Sequence, residues 1–475
     1  MRIFPIASFC FATTTLALAA CSSAGGGSDL GSNGNAGSSA TTKGGASGAT
    51  AKGGAAGKAG SGGSGQAGTA MVVGGGGSAQ GGTSGTTGGA SGAGPSTGGT
   101  GAGGDPNVFG AGDSAGSPVG TGGSGVGCTS TGNMDMDGDG FTVAQGDCND
   151  CDAHINPGAI DVLQKDPMGN PLPASMQVDS DCDGKVANAA EFVCDDAIAI
   201  DDKDGFNGAK AIELCQKQSG QKWGVIQATY VQFDGTPLPS GNGDLGHGIL
   251  SGFGPMVTPK AGKHMLALSS GTARQPSDPG YQDVGGFSKG FTCGDTPGFP
   301  IESPACPGSV TGQPHDSVAL KVQIKVPTNA KSFTFNFKFY TYEFPDFICS
   351  TYNDFFTVLM DPPPMDVNQT NKNITFDSMK NAVSVNNAFL DVCSPQTAGG
   401  KKFTCAAGPA QLTGTGFEDH AGTSWLTTQA NVTPGGTVWL EFAAFDSGDG
   451  VLDSTGIVDN FQWSATPGMG TSTHN

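Results

Sequence analysis

Two short runs of alternating aspartates are the residues in this sequence best suited to chemistry. Each run has the pattern Asp-x-Asp-x-Asp-Gly, with Gly140 ending the first run and Gly184 the second, and the aspartates are Asp135, Asp137 and Asp139, then Asp179, Asp181 and Asp183. Carboxylates at alternate positions converge on one point, and the glycine allows the sharp turn that a loop around a cation needs. We therefore predict that the first run holds a calcium ion and that the second holds another ion or closes the same site.

The remaining ligands of the first loop must come from further along the chain. In helix-loop-helix calcium sites a glutamate at the twelfth loop position closes the site, but the twelfth residue from Asp135 is Gly146. The nearest acids that could replace it are Asp147 and Asp150, and Phe141 would add its backbone carbonyl. Numerous hard oxygen ligands favour Ca²⁺ over zinc or copper, whereas Mg²⁺ keeps more water and fewer protein ligands. A third, weaker calcium candidate is the loop that carries Asp446, Asp449 and Asp453.

Negative charge is concentrated around these loops. The chain has a formal net charge of −20, and residues 128–205 contain 17 Asp or Glu against 3 Lys. This concentration argues against nucleic acid as a partner. It agrees with ion coordination, and the alternative is a solvated acidic face that binds nothing.

The 13 cysteines indicate an exported protein in which disulfides are the default. Cys148-x-x-Cys151 has the spacing of a zinc or redox pair, but His154 is the only histidine near it, so a disulfide role is favoured. We predict four disulfides. Cys148–Cys182 is expected because both cysteines flank the aspartate motifs, and Cys194–Cys215 because it would tie the acidic segment to the predicted helix. Cys293–Cys306 and Cys393–Cys405 would close short loops of a size that disulfides commonly bridge. Cys128–Cys151 would then complete the acidic segment and leave Cys349 unpaired, with Cys349–Cys393 as an alternative.

The N-terminal quarter of the chain is predicted to target and tether the protein. Residues 1–20 form an apolar signal peptide, and Leu18-Ala-Ala-Cys21 resembles the lipobox of bacterial lipoproteins, which implies lipidation of Cys21. Ser22 and Ser23 follow the cysteine, and the absence of aspartate there implies the outer membrane. Residues 22–127 contain 41 glycines, so residues 21–127 are predicted to be a disordered tether.

The larger part of the chain reads as strands. Phe333, Phe335, Phe337 and Phe339 alternate along one run and share one face. We predict one short helix over 208–218 and a mainly β, antiparallel sandwich or jelly roll over 206–466, followed by a flexible tail over 467–475. The strands are predicted at 223–230, 318–326, 332–340, 355–360, 437–445 and 456–464.

Two segments resemble known families. The aspartate runs, together with Gly146-Asp-Cys-Asn-Asp150 and Asn156-Pro-Gly-Ala159, are similar to the MopE-type metal-binding motif of exported bacterial proteins. The stretches Leu268–Arg274, Cys349–Phe356 and Asp446–Thr455 contribute to a second resemblance, over 190–466, to choice-of-anchor L domains of bacterial surface proteins. The first resemblance implies calcium binding, and the second implies a sandwich and a surface location but no reaction.

No catalytic motif was found in a strand-and-turn context, so no catalytic residue is assigned and the protein is expected not to be an enzyme. The favoured interpretation is a lipoprotein, anchored to the outer membrane, that binds a surface polysaccharide or protein, or displays a domain. The alternative is a hydrolase that acts on an exported polymer with a carboxylate pair formed by Glu343 and either Asp354 or Asp459.

Overall fold

The computed structural model describes residues 132–187, 193–309, 311–387 and 389–475. Residues 132–475 belong to one compact unit. The predicted signal peptide over 1–20, the lipidation site Cys21, the tether over 21–127 and Cys128 lie outside the described residues. No helix among the described residues is both long enough and apolar enough to cross a membrane.

The fold is mainly β, and every pairing between named strands in the described residues is antiparallel. In chain order the strands are β1 (Gly224–Val231), β2 (His247–Leu250), β3 (Met265–Ser269), β4 (Pro314–Lys325), β5 (Ser332–Thr341), β6 (Phe355–Asp361), β7 (Leu390–Val392), β8 (Gln396–Ala398), β9 (Lys401–Phe403), β10 (Ala421–Thr423), β11 (Leu426–Asn431), β12 (Thr437–Ser447), β13 (Ser454–Ser464) and β14 (Ser472–His474).

Two sheets form the sandwich. A four-stranded sheet has the order β1-β4-β12-β6, and a larger sheet runs β14-β11-β5-β13-β3-β2, with β10 and β7 extending from β5; β8 and β9 form a separate hairpin. The sheets meet through aromatic side chains: the ring centroids of Phe335 and Phe442 are 5.3 Å apart, and those of Phe337 and Phe356 are 5.1 Å apart. The six strands predicted from the sequence are all present, to within a few residues at their ends.

Strand β5 is central and is buried on both of its faces. Its four alternating phenylalanines are fully buried in the core between the sheets, as the sequence predicted. The opposite face is also covered, because Lys338 is buried there and its Nζ donates hydrogen bonds to Gln411 Oε1 (3.0 Å) and to the carbonyl oxygen of Thr423 (2.6 Å). This face of β5 therefore lies against Gln411 and Thr423 and not in solvent.

The predicted helix is shorter and begins earlier than expected. Helix α1 spans Gly205–Lys210, and its N-cap Asp204 accepts a hydrogen bond from the backbone N–H of Phe206. Glu213 has a φ of 66°, which ends helical geometry, and Gln216 and Gln218 then exchange backbone hydrogen bonds with Val225 of β1. The residues after Glu213 leave the helix axis because they pair with the edge of β1.

The tail over 467–475 was predicted to be flexible, and this was wrong. Its residues Ser472–His474 form β14, which pairs with β11 at the edge of the larger sheet. Thr471 is also held, because its backbone N–H and its hydroxyl both donate to the carboxylate of Asp366. An open sheet edge supplied backbone partners that composition alone does not reveal.

Three of the four predicted disulfides are present, and one was wrong. Cys148–Cys182, Cys194–Cys215 and Cys393–Cys405 form as predicted. Cys306 pairs with Cys349 and not with Cys293, so Cys349 is not the unpaired cysteine and the alternative Cys349–Cys393 is also wrong. Cys293 is a buried free thiol, and it lies beside the hydroxyl group of Ser317 in β4. Cys151 is disulfide-bonded as well, and its predicted partner Cys128 lies outside the described residues.

Candidate metal centre

The first aspartate run folds as a succession of side-chain-to-backbone turns. The two carboxylate oxygens of Asp135 accept hydrogen bonds from the N–H groups of Gly138 (2.7 Å) and Gly140 (2.9 Å). Asp137 and Asp139 each accept one bond from the N–H two residues later. Gly138 and Gly140 have φ values of 81° and 93°, which glycine adopts without strain. The spacing seen in the sequence therefore fixes this loop locally.

The structure brings the predicted closing ligands to the same centre. Carboxylate oxygens of Asp135, Asp137 and Asp139 lie within 4.8 Å of one another, and so do those of Asp137, Asp147 and Asp150. Asp137 belongs to both groups, so five carboxylates surround one region. Asp147 and Asp150 are 3% and 2% exposed, respectively, whereas Asp135 faces solvent.

The hydrogen bonds of this cluster leave oxygens that are suited to a cation. Asp137 Oδ2, Asp139 Oδ2 and Asp147 Oδ2 are shielded from solvent and accept no hydrogen bond. Burial, with a further contribution from neighbouring carboxylates, raises the pKa of Asp137 and of Asp147 and raises the pKa of Asp139 to about 6. None of these three forms an ion pair with a lysine or arginine among the described residues. A bound divalent cation would supply the missing positive charge and the missing ligand partner.

Phe141 was predicted to contribute its backbone carbonyl, and this stays a prediction. Its side chain is 4% exposed and packs on Gly158, where an added Cβ would lie 2.9 Å from the ring. The ring therefore anchors the loop to the Asn156-Pro-Gly-Ala159 segment.

The second aspartate run forms a separate group with a different third member. Oxygens of Asp179 and Asp181 lie within 4.8 Å of an oxygen of Asp161, and no residue is shared with the first group. Asp161 also accepts a hydrogen bond from the N–H of Ser180 (2.7 Å). Asp183, which was predicted as a ligand, is not in this group, because its carboxylate accepts from the N–H of Lys185 and pairs with Lys185 Nζ at 3.2 Å.

Sequence reasoning missed Asp161 because nothing local identifies it. It lies 18 residues before Asp179, and the two meet because the chain doubles back at Asn156, whose N–H bonds to the carbonyl of Ser180. The disulfide Cys148–Cys182 then joins the two groups, since Cys148 follows Asp147 and Cys182 follows Asp181. The only available signal was the position of Asp161 two residues after the end of the Asn156-Pro-Gly-Ala159 motif.

The acidic segment packs on the sandwich through this same motif. Asn156 Oδ1 accepts hydrogen bonds from Thr328 Oγ1 (2.7 Å) and from the N–H of Gly158 (2.9 Å). The side chain of Asn329 makes two further bonds, one to the N–H and one to the carbonyl of Ile160, both at 2.9 Å. The loop between β4 and β5 thus holds the segment that carries both aspartate groups.

The third predicted calcium site, formed by Asp446, Asp449 and Asp453, was wrong as a set. Asp446 belongs to β12 in the smaller sheet, whereas Asp453 directly precedes β13 in the larger one. The two ends of this loop therefore lie in different sheets. Asp446 instead lies with Glu343 and Asp354, and Asp449 is outside that group. Asp459, the other acid considered beside Glu343, accepts from the N–H of Lys260 and is not part of the group either.

No protein-family model, curated protein or solved structure matches this chain. The resemblances to the MopE-type motif and to choice-of-anchor L domains therefore stay predictions.

Proposed function

We propose that this chain is an exported calcium-binding protein in which an acidic module, held on a β-sandwich, is stabilised by the ions it binds. The observation that carries the proposal is the convergence of five carboxylates at Asp137, with three shielded oxygens that accept no hydrogen bond. The ligands are all oxygens and are numerous, which favours Ca²⁺ over softer metals. The module over 132–187 has no named strand and only two short 3-10 helices, so ions and the Cys148–Cys182 disulfide supply stability that its own core cannot.

The test compares thermal unfolding of the chain in excess chelator and in calcium. An ion present at 100 times its Kd stabilises the folded state by about 2.7 kcal/mol, so calcium should raise the Tm and magnesium should raise it less. Asp137→Asn should remove most of this gain, because Asp137 belongs to both carboxylate groups. Asp152→Asn is the matched control, since the Asp152 carboxylate is exposed and binds His154 in its own turn. The same Tm in chelator and in calcium would refute the proposal.

We also propose that the protein is displayed on the outer membrane through a lipid on Cys21. The disulfides among the described residues support export, since such bonds persist in oxidising compartments. The sequence around Cys21 supports the anchor. Cys21→Ala should move the protein from the membrane fraction to the soluble exported fraction, and an unchanged membrane fraction would contradict the anchor.

A groove on the outer face of the four-stranded sheet favours polysaccharide binding as the role of the displayed domain. The groove has a volume of about 380 Å³ and is lined by Trp439 together with charged and amide side chains. Lys321 and Glu441 form an ion pair at 2.9 Å on this face, and Lys321 Nζ lies 5.7 Å from the Trp439 ring. An aromatic ring beside several hydrogen-bonding groups suits the apolar and hydroxyl-bearing faces of a sugar.

Binding can be tested by affinity electrophoresis against a panel of acidic and neutral polysaccharides. At least one should retard the wild type, and Trp439→Ala should abolish the retardation. Tyr352→Ala is a control for loss of an exposed aromatic side chain away from the groove. Retardation that persists in Trp439→Ala would exclude this groove, and polymer cleavage by the wild type would favour the hydrolase alternative.

A further inference from the structure

Three acidic side chains from separate parts of the chain meet inside the sandwich, away from the acidic module. Glu343 follows β5, Asp354 directly precedes β6, and Asp446 lies in β12. One carboxylate oxygen of each lies within 4.8 Å of the others. The three residues are 2%, 0% and 1% exposed, respectively, so this group is enclosed to a degree that the module's groups are not.

The protein satisfies only part of the hydrogen-bonding capacity of these carboxylates. Glu343 Oε2 accepts from the N–H of Asp354 (3.0 Å), and Asp446 Oδ2 accepts from the N–H of Val451 (3.1 Å). Ser270 Oγ lies 3.5 Å from Asp354 Oδ2, at the limit of a hydrogen bond. Asp354 Oδ1 and Asp446 Oδ1 are shielded from water and have no hydrogen-bond partner unless these two carboxyls, which lie side by side, share a proton. Two fully buried acceptors without a partner are costly unless something else binds them.

No positively charged side chain among the described residues compensates the group. Within the described residues, none of the three acids forms an ion pair with lysine, arginine or histidine. The buried cation Lys289 interacts instead with Asp316 and Asp453, and its Nζ donates to the carbonyl of Ser269 at 2.8 Å. Three buried carboxylates without a counter-charge would repel one another, so the fold requires either a cation or bound protons there.

The three carboxylates could be stabilised either by bound protons or by a metal ion, and the geometry of the strands favours a metal ion. A proton shared between two carboxyls satisfies only that pair, whereas this group offers an oxygen from each of three acids around one point. The three are positioned by strands of both sheets, because β6 and β12 belong to the smaller sheet and β5 to the larger. An ion here would join the two sheets at one end of the sandwich.

We propose that Glu343, Asp354 and Asp446 form a buried site for one divalent cation of the calcium class, which ties the two sheets together. The ligands are carboxylates only, so a hard cation is favoured over zinc or copper. The site is independent of the acidic module and does not rest on calcium binding there.

The experiment measures bound calcium per chain by elemental analysis after refolding in calcium and extensive dialysis. The starting protein carries Asp137→Asn and Asp179→Asn, which disable both module groups. It should retain one calcium, and adding Glu343→Gln should reduce this to zero. Asp346→Asn, at an exposed carboxylate three residues after Glu343 and outside the group, should leave it at one. In the otherwise wild-type chain, Glu343→Gln should lower the calcium content by one relative to Asp346→Asn, which keeps the test valid if the module variants fold poorly.

Three results would overturn the proposal. One is a module-disabled protein that folds, as judged by circular dichroism, and holds no calcium. Another is a calcium content that Glu343→Gln leaves unchanged in both backgrounds. The third is a Tm of the module-disabled protein that does not respond to chelator but falls as the pH rises above neutrality. If adding Glu343→Gln to that protein abolishes the fall, the group holds protons and not a metal. Failure of the module sites alone would leave the calcium at this group in place, so the two proposals fail separately.

Discussion

At the scale of single residues, His247 shows how burial sets charge in this fold. It begins β2, is 1% exposed and stacks on Tyr230 with ring centroids 3.8 Å apart. Arg274 lies beside it and donates a hydrogen bond from Nη1 to its carbonyl oxygen at 2.8 Å. Burial first, and then the charge of Arg274, lowers the pKa of His247 to about 4. The other charged groups that act on the ring are Asp244, Lys289 and Lys203.

We therefore expect His247 to destabilise the protein in mild acid. In the unfolded state His247 binds a proton below about pH 6.5, whereas in the folded state it does so only below about pH 4. The free energy of unfolding therefore falls as the pH drops through this window. The difference at pH 5 relative to pH 7.5 is about 2 kcal/mol. His247→Phe keeps the stacking and should remove this part of the loss, as measured by urea unfolding at both pH values in constant calcium.

The control for this prediction is His474→Phe, because His474 is exposed. It should lose as much stability as wild type between pH 7.5 and pH 5. An equal loss in His247→Phe and wild type would show that the buried imidazole does not carry the effect.

At the scale of elements, β13 depends on a residue without a side chain. Gly456 pairs with Leu268 of β3 and with Phe339 of β5, and a Cβ there would lie 2.1 Å from the ring of Phe356 on the opposing sheet. The aromatic ring fills the space that the glycine leaves. This close approach fixes how near the two sheets come at this level of the sandwich.

Gly456→Ala is accordingly expected to destabilise the protein by about 1–3 kcal/mol through overpacking. Gly286→Ala is the matched control, because no atom lies within 4 Å of a Cβ placed there and its backbone does not require glycine. Chemical unfolding of both variants in calcium provides the measurement. Equal stability of the two variants would mean that Phe356 moves aside at little cost.

At the scale of the whole molecule, the acidic module is joined to the sandwich by hydrogen bonds between the segment 156–160 and the loop that follows β4. Asn329 is 5% exposed and binds both backbone groups of Ile160. Thr328 adds a backbone bond to Gly158 and a side-chain bond to Asn156. The aspartate loops are thus connected to β4 and β5 through a few buried polar groups.

Asn329→Ala should loosen this connection. It leaves the two backbone groups of Ile160 without their partner, at a cost of about 1–3 kcal/mol for each buried group that water cannot reach. Hydrogen exchange of residues 132–187 should speed up while that of β5 stays unchanged. Asn170→Ala, which removes the bond from Asn170 Nδ2 to Asp166 Oδ2 in an exposed turn, should leave exchange near Ile160 as in wild type. Uniform acceleration over the whole chain would instead show that module and sandwich open together.

Local patterns in the sequence determined much of this protein. The Asp-x-Asp-x-Asp-Gly runs predicted the aspartate loops because each carboxylate binds an N–H a few residues away. Alternating phenylalanines predicted β5 because the side-chain period of a strand is two. The disulfide Cys148–Cys182 was also predictable, since both cysteines adjoin the same kind of acidic motif.

Only the tertiary structure decided which distant residues meet. Asp161, and not Asp183, lies beside Asp179, and Cys306 pairs with Cys349 and not with Cys293. Asp446 lies with Glu343 and Asp354 and not with the other acids of its own loop. These partners are separated by up to 103 positions, from Glu343 to Asp446, and no local period or spacing records them. The meeting of Glu343, Asp354 and Asp446 is set by the strand order β1-β4-β12-β6 and by how the two sheets face each other. Side chains on separate strands become neighbours only when hydrophobic burial has fixed the order and register of the sheets.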